Sequence, residues 1–353
     1  YRKYFYRSAT NDTMRKDLKD VVSSVCKIAK PSNKDLIIDI GSNDCTLLNF
    51  YKKKFQLVGF EPARNINYID VGKEIKIFNT YFNYSDFKKK FPKSKAKIIT
   101  SCAMFYDIAE PKKFVADIDK ILDKNGVWCV QISYLASMIT NNNFYDICHE
   151  HLSYYSLETF NYLLKNFNLR TFYAETNAVN GGSIRIYISR KNSHFLKNES
   201  YKKVLKKILQ KENKLSLSNL KTFFNYQKKI DNIKFKTNKF VDSIQNKGGK
   251  VFGLGASTKG NILLQHFGLT KTKIPFISER NPEKVGLRCL GSDIELISEK
   301  NARKRNPKAF LVLPWNFKKE IFKREKNYLK KNGILMFPMP YPHYVSKKGE
   351  KKL

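Results

Sequence analysis

The sequence has no long apolar run, no grouped cysteines and few acidic residues. No apolar segment approaches the roughly 20 residues that cross a bilayer, so we expect no membrane partner. No secretory signal pattern opens the chain, which predicts a cytoplasmic location. The six cysteines are scattered without a CxxC pair, which favours reduced thiols over disulfides or structural zinc. A chain of 353 residues is long for one hydrophobic core, so we expect two domains.

Arginine is also scarce among the basic residues. The formal net charge of +36 comes from 55 lysines and only 12 arginines. Base and phosphate recognition in nucleic acids usually favours the bidentate fork of arginine, so a nucleic-acid partner is the least favoured of our hypotheses. The lysines are spread along amphipathic segments, which is typical of solvated faces. Such a charge would still help to hold an anionic small substrate.

Strands alternate with helices along the first part of the chain. Four apolar segments are each flanked by glycine or polar residues, and a helical pattern separates the third segment from the fourth. This alternation predicts the α/β class, with a parallel, doubly wound sheet. The alternating segment 181–190 is predicted to be a late edge strand of that sheet. The four predicted strand regions are 35–48, 54–63, 95–108 and 126–135, and the helix covers 111–122.

The second part of the chain begins with long helices and then repeats the first pattern. Residues 196–245 are rich in lysine, have helical period and contain almost no glycine or proline. Strand, glycine turn and helix start again at 247–268, which predicts a second, smaller α/β domain. We therefore predict a first domain over 1–192, a helical connector over 193–246 and a C-terminal domain over 247–353.

A glycine turn with acidic residues follows the first predicted strand. It runs from Asp39 to Asp44 in the order DIGSND, and Glu61 ends the next strand, 20 residues after Gly41. Glycine lets a ligand approach the backbone, and an acid at the second strand commonly binds ribose hydroxyls. The turn lacks the GxGxxG pattern of dinucleotide sites, and its acidity suits a nucleoside with a cationic group, such as S-adenosylmethionine. A plain strand–helix connection is the alternative.

Five motifs in fixed order give the chain a family resemblance. They are DIGSND with the TLL that follows, GFEP, HEH, NGGSIRIY and GLGASTKGN, and the similarity extends from YFYRS to GILMFPMPYP. The chain resembles S-adenosylmethionine-dependent C-methyltransferases that act on nucleotide-linked 4-keto-6-deoxy sugars. The resemblance implies a class I methyltransferase domain over 1–192 and a smaller Rossmann-like domain that helps to hold the nucleotide. Family members usually carry an N-terminal zinc module of clustered cysteines, which this sequence does not contain.

The resemblance also implies the ligands and the residues around the cofactor. The methyl donor is expected to be S-adenosylmethionine and the substrate a nucleotide-diphosphate-linked keto-deoxy sugar, with no metal. The residues expected at the cofactor are Asp39, Gly41, Ser42, Asn43, Asp44, Glu61, Pro62, Ser101 and Met104.

The segment His149–Glu150–His151 offers the chemistry that methylation of carbon needs. A C–H bond beside a ketone is acidic enough for a side-chain base, and histidine is the commonest choice near neutral pH. In the resembled family the last residue of HEH is the candidate base, which corresponds to His151, oriented by Glu150. The alternatives are a metal site, whose usual ligand spacing is missing, and histidines that satisfy buried polar groups before a helix capped by Ser156.

Two departures from the family pattern concern proton transfer to the ketone oxygen. Family members often have tyrosine before HEH, where this sequence has Cys148, and histidine in the segment that here reads SCAMFYDI. A phenol from Tyr106, Tyr154, Tyr4 or Tyr6 can replace the missing proton donor. We discount Cys148 as a nucleophile, because residues adjacent in sequence rarely reach hydrogen-bond geometry.

Two further segments carry the predicted substrate residues. The second glycine turn, GLGASTKGN, combines a helix start with an ammonium group and so suits a diphosphate, although a turn kept only for packing is the alternative. In NAVNGGSIRIY, paired glycines allow close ligand approach and an arginine could hold a phosphate, although a simple hairpin is possible. The predicted residues are Asn180, Gly181, Gly182, Ser183, Arg185, Gly253, Gly255, Ala256, Ser257, Lys259, Gly260, Asn261, Glu279 and Arg280.

The leading hypothesis is therefore a sugar C-methyltransferase. The alternatives are an O- or N-methyltransferase on another acceptor, and an inactive homologue that only binds a nucleotide sugar. The sequence leaves open which sugar and which nucleotide base are used, and it leaves open the oligomeric state.

Overall fold

The chain forms two compact units, each built on its own seven-stranded sheet. The structure is a computed structural model that describes residues 2, 6–10, 12–66, 68 and 71–353. The first unit comprises Tyr1–Ala136 and Glu150–Ser216, and the second comprises Ser137–His149 and Leu217–Leu353. Both sheets mix with helices, so the predicted α/β class is confirmed.

The sheet of the first unit has the strand order β3-β2-β1-β4-β5-β7-β6. Pairs among the first five strands are parallel, whereas β7 is antiparallel to both of its neighbours. This topology is that of the class I methyltransferase fold, as the sequence resemblance predicted. The strands are β1 (Leu36–Ile40), β2 (Gln56–Phe60), β3 (Ile75–Phe78), β4 (Ala96–Cys102), β5 (Leu122–Ser133), β6 (Leu169–Asn177) and β7 (Ser183–Arg190).

The prediction that residues 181–190 form an edge strand is wrong. Strand β7 lies between β5 and β6, and β6 is the edge. All residues of β7 except Arg190 are buried, although Ser183 and Arg185 alternate with apolar residues. The alternation suggested a polar outer face, but those polar side chains are buried and find partners inside the unit.

Helices cover the sheet of the first unit, and α1 supplies much of its core. The apolar side of α1 buries Leu18, Val21, Val22 and Val25, which pack in one cluster with residues of the sheet. Burial of such side chains stabilises the fold by about 1.5–3 kcal/mol each. The helices are α1 (Asp12–Ala29), α2 (Tyr84–Lys90), α3 (Pro111–Ile121), α4 (Leu135–Thr140), which ends in the second unit, α5 (Leu157–Leu164) and α6 (Glu199–Leu215).

The second unit repeats the parallel part of the first sheet. Its order is β10-β9-β8-β11-β12-β13-β14, so its first five strands follow the same pattern as β3-β2-β1-β4-β5. The last two strands are antiparallel additions. The strands are β8 (Val251–Leu254), β9 (Phe276–Glu279), β10 (Glu295–Ser298), β11 (Ala309–Val312), β12 (Ile334–Phe337), β13 (His343–Ser346) and β14 (Gly349–Lys352).

The first helix of the second unit, α7 (Leu220–Gln245), is the longest helix of the described residues. The predicted connector, residues 193–246, is divided between the two units, because α6 belongs to the first unit and α7 to the second. None of the helices in the described ranges has the length and apolar character that a membrane span requires. The helices are α7 (Leu220–Gln245), α8 (Thr258–Phe267), α9 (Glu299–Lys304), α10 (Lys318–Arg324) and α11 (Lys326–Lys330).

Candidate active site

The first glycine turn is closed by a backbone bond at a residue whose conformation favours glycine. Gly41 donates its N–H to the carbonyl of Phe60 at 2.8 Å and has a φ of 77°. A Cβ atom at this position would lie 3.0 Å from Cγ of Met104. The turn after β1 therefore packs directly against the loop after β4, where Met104 is located.

Glu61, at the end of β2, holds the same turn through its carboxylate. Its Oε2 accepts the N–H of Asn43 and its Oε1 accepts the N–H of Ala63, both at 2.8 Å. The residue is 6% exposed, and Pro62 beside it is half-buried. A carboxylate has about four lone pairs, so each oxygen retains one that could accept a ribose hydroxyl.

Two other predicted cofactor residues lie deeper in the sheet. Asp39 is buried and accepts the hydroxyl of Thr100 at 2.6 Å. Burial, together with the nearby charge of Glu61, raises the pKa of Asp39 to about 7. Ser101 is fully buried, and its Oγ accepts the indole N–H of Trp128 at 3.2 Å. Ser101 thus serves the core, whereas burial favours the uncharged form of the Asp39 carboxyl.

A short N-terminal segment covers the glycine turn, which the sequence did not predict in any detail. Ser8 donates its N–H to Oδ1 of Asn43 at 3.1 Å, and Ala9 donates to Oδ2 of Asp44 at 2.8 Å. The Asn43 amide in turn donates to the carbonyl of Tyr6 at 3.1 Å. The Tyr6 side chain is 41% exposed, and Tyr4 lies outside the described residues. Only the resemblance of YFYRS marked this segment.

The Asp44 carboxylate accepts hydrogen bonds from within the turn, and Ser42 is buried in the turn. Oδ1 of Asp44 accepts the N–H of Thr46 at 3.1 Å and its hydroxyl at 2.6 Å. Ser42 is 3% exposed and donates its N–H to Phe60 at 3.2 Å. These contacts fix the backbone of the turn, so Ser42 and Asp44 shape the cofactor site more than they present free groups to it.

The loop after β4 also contacts the HEH segment. The ring of Tyr106 lies 4.2 Å from the ring of His151, centroid to centroid. The carbonyl of Tyr106 accepts the N–H groups of Leu152 and Ser153 at 2.9 and 3.1 Å. One loop therefore carries Met104 against the glycine turn and Tyr106 against His151.

The remaining HEH residues differ in exposure. His149 is exposed, so it does not satisfy a buried polar group, contrary to the structural alternative for this residue. Glu150 and His151 are half-buried. Ser156 caps α5 as predicted, since its Oγ accepts the N–H of Thr159 at 3.1 Å in a capping box.

Arg185 is enclosed by acids and does not offer its guanidinium to a ligand. It is 1% exposed and pairs with Asp17 at 3.2 Å and with Asp20 and Glu175 at 2.9 Å. Its Nε donates to Gln131 at 2.9 Å. This arrangement is structural, and we leave Arg185 out of the substrate site.

The turn before Arg185 has the backbone that its glycines suggested. Asn180, Gly181 and Gly182 all have positive φ, at 55°, 96° and 130°. The hydroxyl of Ser183 donates to the carbonyl of Val179 at 3.0 Å, which closes the turn. The turn could bring backbone close to a ligand, but the Ser183 hydroxyl is already bonded.

The second glycine turn, in the second unit, is built like the first. Gly255 has a φ of 76° and donates its N–H to Ser278 at 2.8 Å. Oε2 of Glu279 accepts the N–H of Ala256 at 2.7 Å. Its Oε1 accepts the N–H groups of Arg280 and Asn281 at 2.9 and 2.8 Å. Glu279 thus has the place in this unit that Glu61 has in the first.

Two glycines of the second turn are needed for packing. A Cβ atom at Gly253 would lie 2.6 Å from Cγ1 of Ile277, and one at Gly260 would lie 2.5 Å from Cβ of Leu313. Both are close approaches of the backbone to core side chains. Their role in this structure is to let the strand and helix pack, rather than to contact a ligand.

The start of α8 carries the predicted anion-binding groups. Ser257 caps the helix, accepting the N–H of Gly260 at 3.0 Å, and its carbonyl accepts the N–H of Asn261 at 2.9 Å. Nζ of Lys259 lies 2.7 Å from the carboxylate of Asp146, which is buried, and 4.9 Å from the centre of the Tyr145 ring. A bound phosphate would share this ammonium with Asp146.

The described residues contain no group of three or more His, Cys, Asp or Glu side chains placed to hold a metal ion. All six cysteines are free thiols, and Cys148 is half-buried.

Comparison with known proteins assigns a domain to each half of the chain. Residues 11–173 match a family described as a methyltransferase domain, and residues 178–340 match the C-methyltransferase C-terminal domain. The chain is 26% identical over 314 residues to the C-methyltransferase NovU of Streptomyces niveus, covering 88% of this chain and 74% of that protein.

Two solved structures with bound S-adenosylhomocysteine are similar to about half of the chain. The magnesium protoporphyrin IX methyltransferase ChlM of Synechocystis PCC 6803 is 9% identical, with 51% of this chain and 88% of that chain covered and a TM-score of 0.39. The plantazolicin methyltransferase BpumL is 10% identical, with 52% and 92% covered and a TM-score of 0.39.

The matched domains define the class of protein. A methyltransferase domain followed by a C-methyltransferase C-terminal domain accounts for nearly all of the chain. The protein is an S-adenosylmethionine-dependent methyltransferase, as the sequence resemblance implied, and its second half is similar to the C-terminal domain of C-methyltransferases.

Proposed function

We propose that the protein methylates the carbon beside the ketone of a nucleotide-diphosphate-linked keto-deoxy sugar, with His151 as the base. The observation that carries the proposal is the loop after β4. That loop packs Met104 against the glycine turn at Gly41 and Tyr106 against His151. Met104 and Tyr106 are only two positions apart, so the predicted cofactor turn and the predicted base adjoin the same short stretch of chain in the first unit.

The cofactor-binding residues that we propose are mainly those with carboxylate oxygens that can still accept a hydrogen bond or attract a cation. Glu61 has a lone pair on each oxygen for ribose hydroxyls, and Gly41 lets the turn beside Glu61 pack closely against Met104. Asp39 would favour a nearby cation, because its pKa of about 7 would fall beside one. S-Adenosylmethionine, when bound, supplies an electrophilic methyl group on a positively charged sulfur.

The proposed role of His151 is to take a proton from carbon. The C–H electron pair forms a C=C bond to the carbonyl carbon while the C=O π pair moves to oxygen, which gives an enolate. The enolate carbon would then bond to the methyl group as the methyl–sulfur bond breaks, and neutral S-adenosylhomocysteine would leave. The proton resides on the imidazole and passes to solvent. Glu150 is proposed to orient the ring, and the phenol of Tyr106, which packs on His151, is the nearest candidate to polarise the ketone oxygen.

The second unit is proposed to hold the nucleotide diphosphate. The helix start at Ser257 and the ammonium of Lys259 suit the phosphates, and Glu279 suits the nucleoside, as Glu61 does in the first unit. The net charge of +36 would attract such an anion.

The test is to transfer an isotope-labelled methyl group from S-adenosylmethionine to nucleoside-diphosphate-linked 4-keto-6-deoxy sugars, and to find its attachment by NMR. Thymidine- and guanosine-linked sugars serve as probes. We expect the labelled carbon to be bonded to a ring carbon of the sugar. A methyl group on oxygen or nitrogen would contradict the proposal. Binding of both ligands with no transfer would indicate the nucleotide-sugar-binding role instead.

A further inference from the structure

A buried carboxylate from α6 holds the start of α5, just after the HEH segment. Glu212 is 2% exposed, although it lies on a helix rich in lysine. Its Oε1 accepts the N–H of Leu157 at 2.6 Å and the phenol of Tyr134 at 2.7 Å. Its Oε2 accepts the N–H of Glu158 at 3.0 Å. All four residues belong to the first unit.

The carboxylate is held by N–H and O–H donors and the helix dipole. The first N–H groups of a helix lack partners within the helix, and an anion there is favoured. Burial and the charge of Glu212 raise the pKa of Tyr134, so the phenol stays protonated and donates. The Ser156 side chain accepts the N–H of Thr159, and Glu212 accepts the N–H groups of the two residues before Thr159.

This anchor acts on the few residues that follow His151. Leu152 and Ser153 are bonded to the carbonyl of Tyr106. The carbonyl of Tyr155 accepts the N–H of Leu135. Tyr134, the residue before Leu135, forms a β-bridge with Tyr155. The chain between His151 and α5 is therefore held at Tyr106 on one side and at Tyr134 with Glu212 on the other.

We infer that Glu212 is a positioning residue for the proposed base. It touches neither cofactor nor substrate in this account, and it acts by fixing α5 and Tyr134 so that the segment of His151 keeps its place beside Tyr106. The inference depends on the proposed function, because it assigns a purpose to the geometry only if His151 removes the proton.

The experiment compares Glu212→Gln with Glu199→Gln. Both replace a carboxylate of α6 by its amide, but Glu199 is exposed and pairs with Lys202 on the surface. The readout is deuterium exchange at the sugar carbon beside the ketone, in the presence of S-adenosylhomocysteine, with the thymidine- and guanosine-linked keto sugars. Binding of S-adenosylhomocysteine and thermal unfolding are measured for the same samples.

We expect Glu212→Gln to slow exchange by about 10²-fold, because a shift of about 1 Å in a reacting group can cost that much, while S-adenosylhomocysteine binds as before. Glu199→Gln is expected to leave the exchange rate unchanged. A purely structural role would lower the unfolding temperature and leave the exchange rate of the folded protein unaltered. That result would overturn the inference.

Two further variants keep the test decisive. If Glu212→Gln does not fold, Tyr134→Phe removes one of the three bonds and retains the charge, and it should still slow exchange several-fold. An unchanged rate in Tyr134→Phe would then overturn the inference. His151→Gln separates the two claims: if it exchanges normally, the proposed function fails, and if only the Glu212 variant exchanges normally, the positioning role fails.

Discussion

Replacing Gly41 by alanine tests the packing of the two loops that form the cofactor site. Gly41 has a φ of 77°, where alanine costs about 1–2 kcal/mol. The added Cβ would also lie 3.0 Å from Cγ and 3.3 Å from Cβ of Met104. Methionine is flexible, so we expect Met104 to move by a few tenths of an ångström rather than the fold to fail. That movement would displace the loop that leads to Tyr106.

A second glycine provides the matched control for this change. Gly248 has a φ of 73°, and nothing lies within 4 Å of the Cβ that alanine would add. Gly248→Ala therefore has the backbone cost without the collision. Calorimetric titration should show Gly41→Ala binding S-adenosylhomocysteine about tenfold more weakly, a difference of about 1.4 kcal/mol, and Gly248→Ala binding it normally. Equal affinities for the two variants would refute the assignment of this turn to the cofactor.

Three other perturbations follow from the site. Asp39 has a folded-state pKa of about 7 against 3.8 ordinarily, so the stability that its protonation contributes is complete below about pH 3.8 and is lost as the pH rises to about 7. Urea unfolding should show the stability of Asp39→Asn relative to the parent increasing from about pH 4 to about pH 7 and remaining level above that, and a difference that does not change with pH would contradict the assignment. Arg185→Met should lose about 3–5 kcal/mol of unfolding free energy in the same assay, because three acids lose their partner. Lys202→Met, which breaks an exposed pair, should unfold at nearly the same urea concentration as the parent. Lys259→Met should weaken binding of thymidine or guanosine diphosphate by about tenfold and that of the monophosphate less, since one phosphate contact is lost; equal effects would contradict a diphosphate role.

The sequence was most informative where local chemistry decides the backbone. Apolar strands that end in Gly41 and Gly255, each followed by an acid at the next strand, predicted both turns. The structure bonds Glu61 and Glu279 to the N–H groups of those turns. Local pattern sufficed there because a turn with positive φ and a helix start have few solutions.

Long-range partners could not be predicted in the same way. The sequence suggested Arg185 for a phosphate, but the side chain pairs with Asp17, 168 residues away. Glu212 caps a helix that begins 55 residues earlier in the chain. Neither distance leaves a periodic signal, because such pairs depend on how helices pack on the sheet and not on neighbouring residues.

The most direct test of the account measures proton removal from carbon by His151. Deuterium exchange beside the ketone of the keto sugar, with S-adenosylhomocysteine bound, reports this step without methyl transfer. A general base contributes about 10²–10⁴-fold, so His151→Gln should slow exchange by at least about 10²-fold, while His194→Gln, at a histidine outside the proposed site, should not. Exchange at the parent rate in His151→Gln protein that is folded and binds S-adenosylhomocysteine would contradict the account.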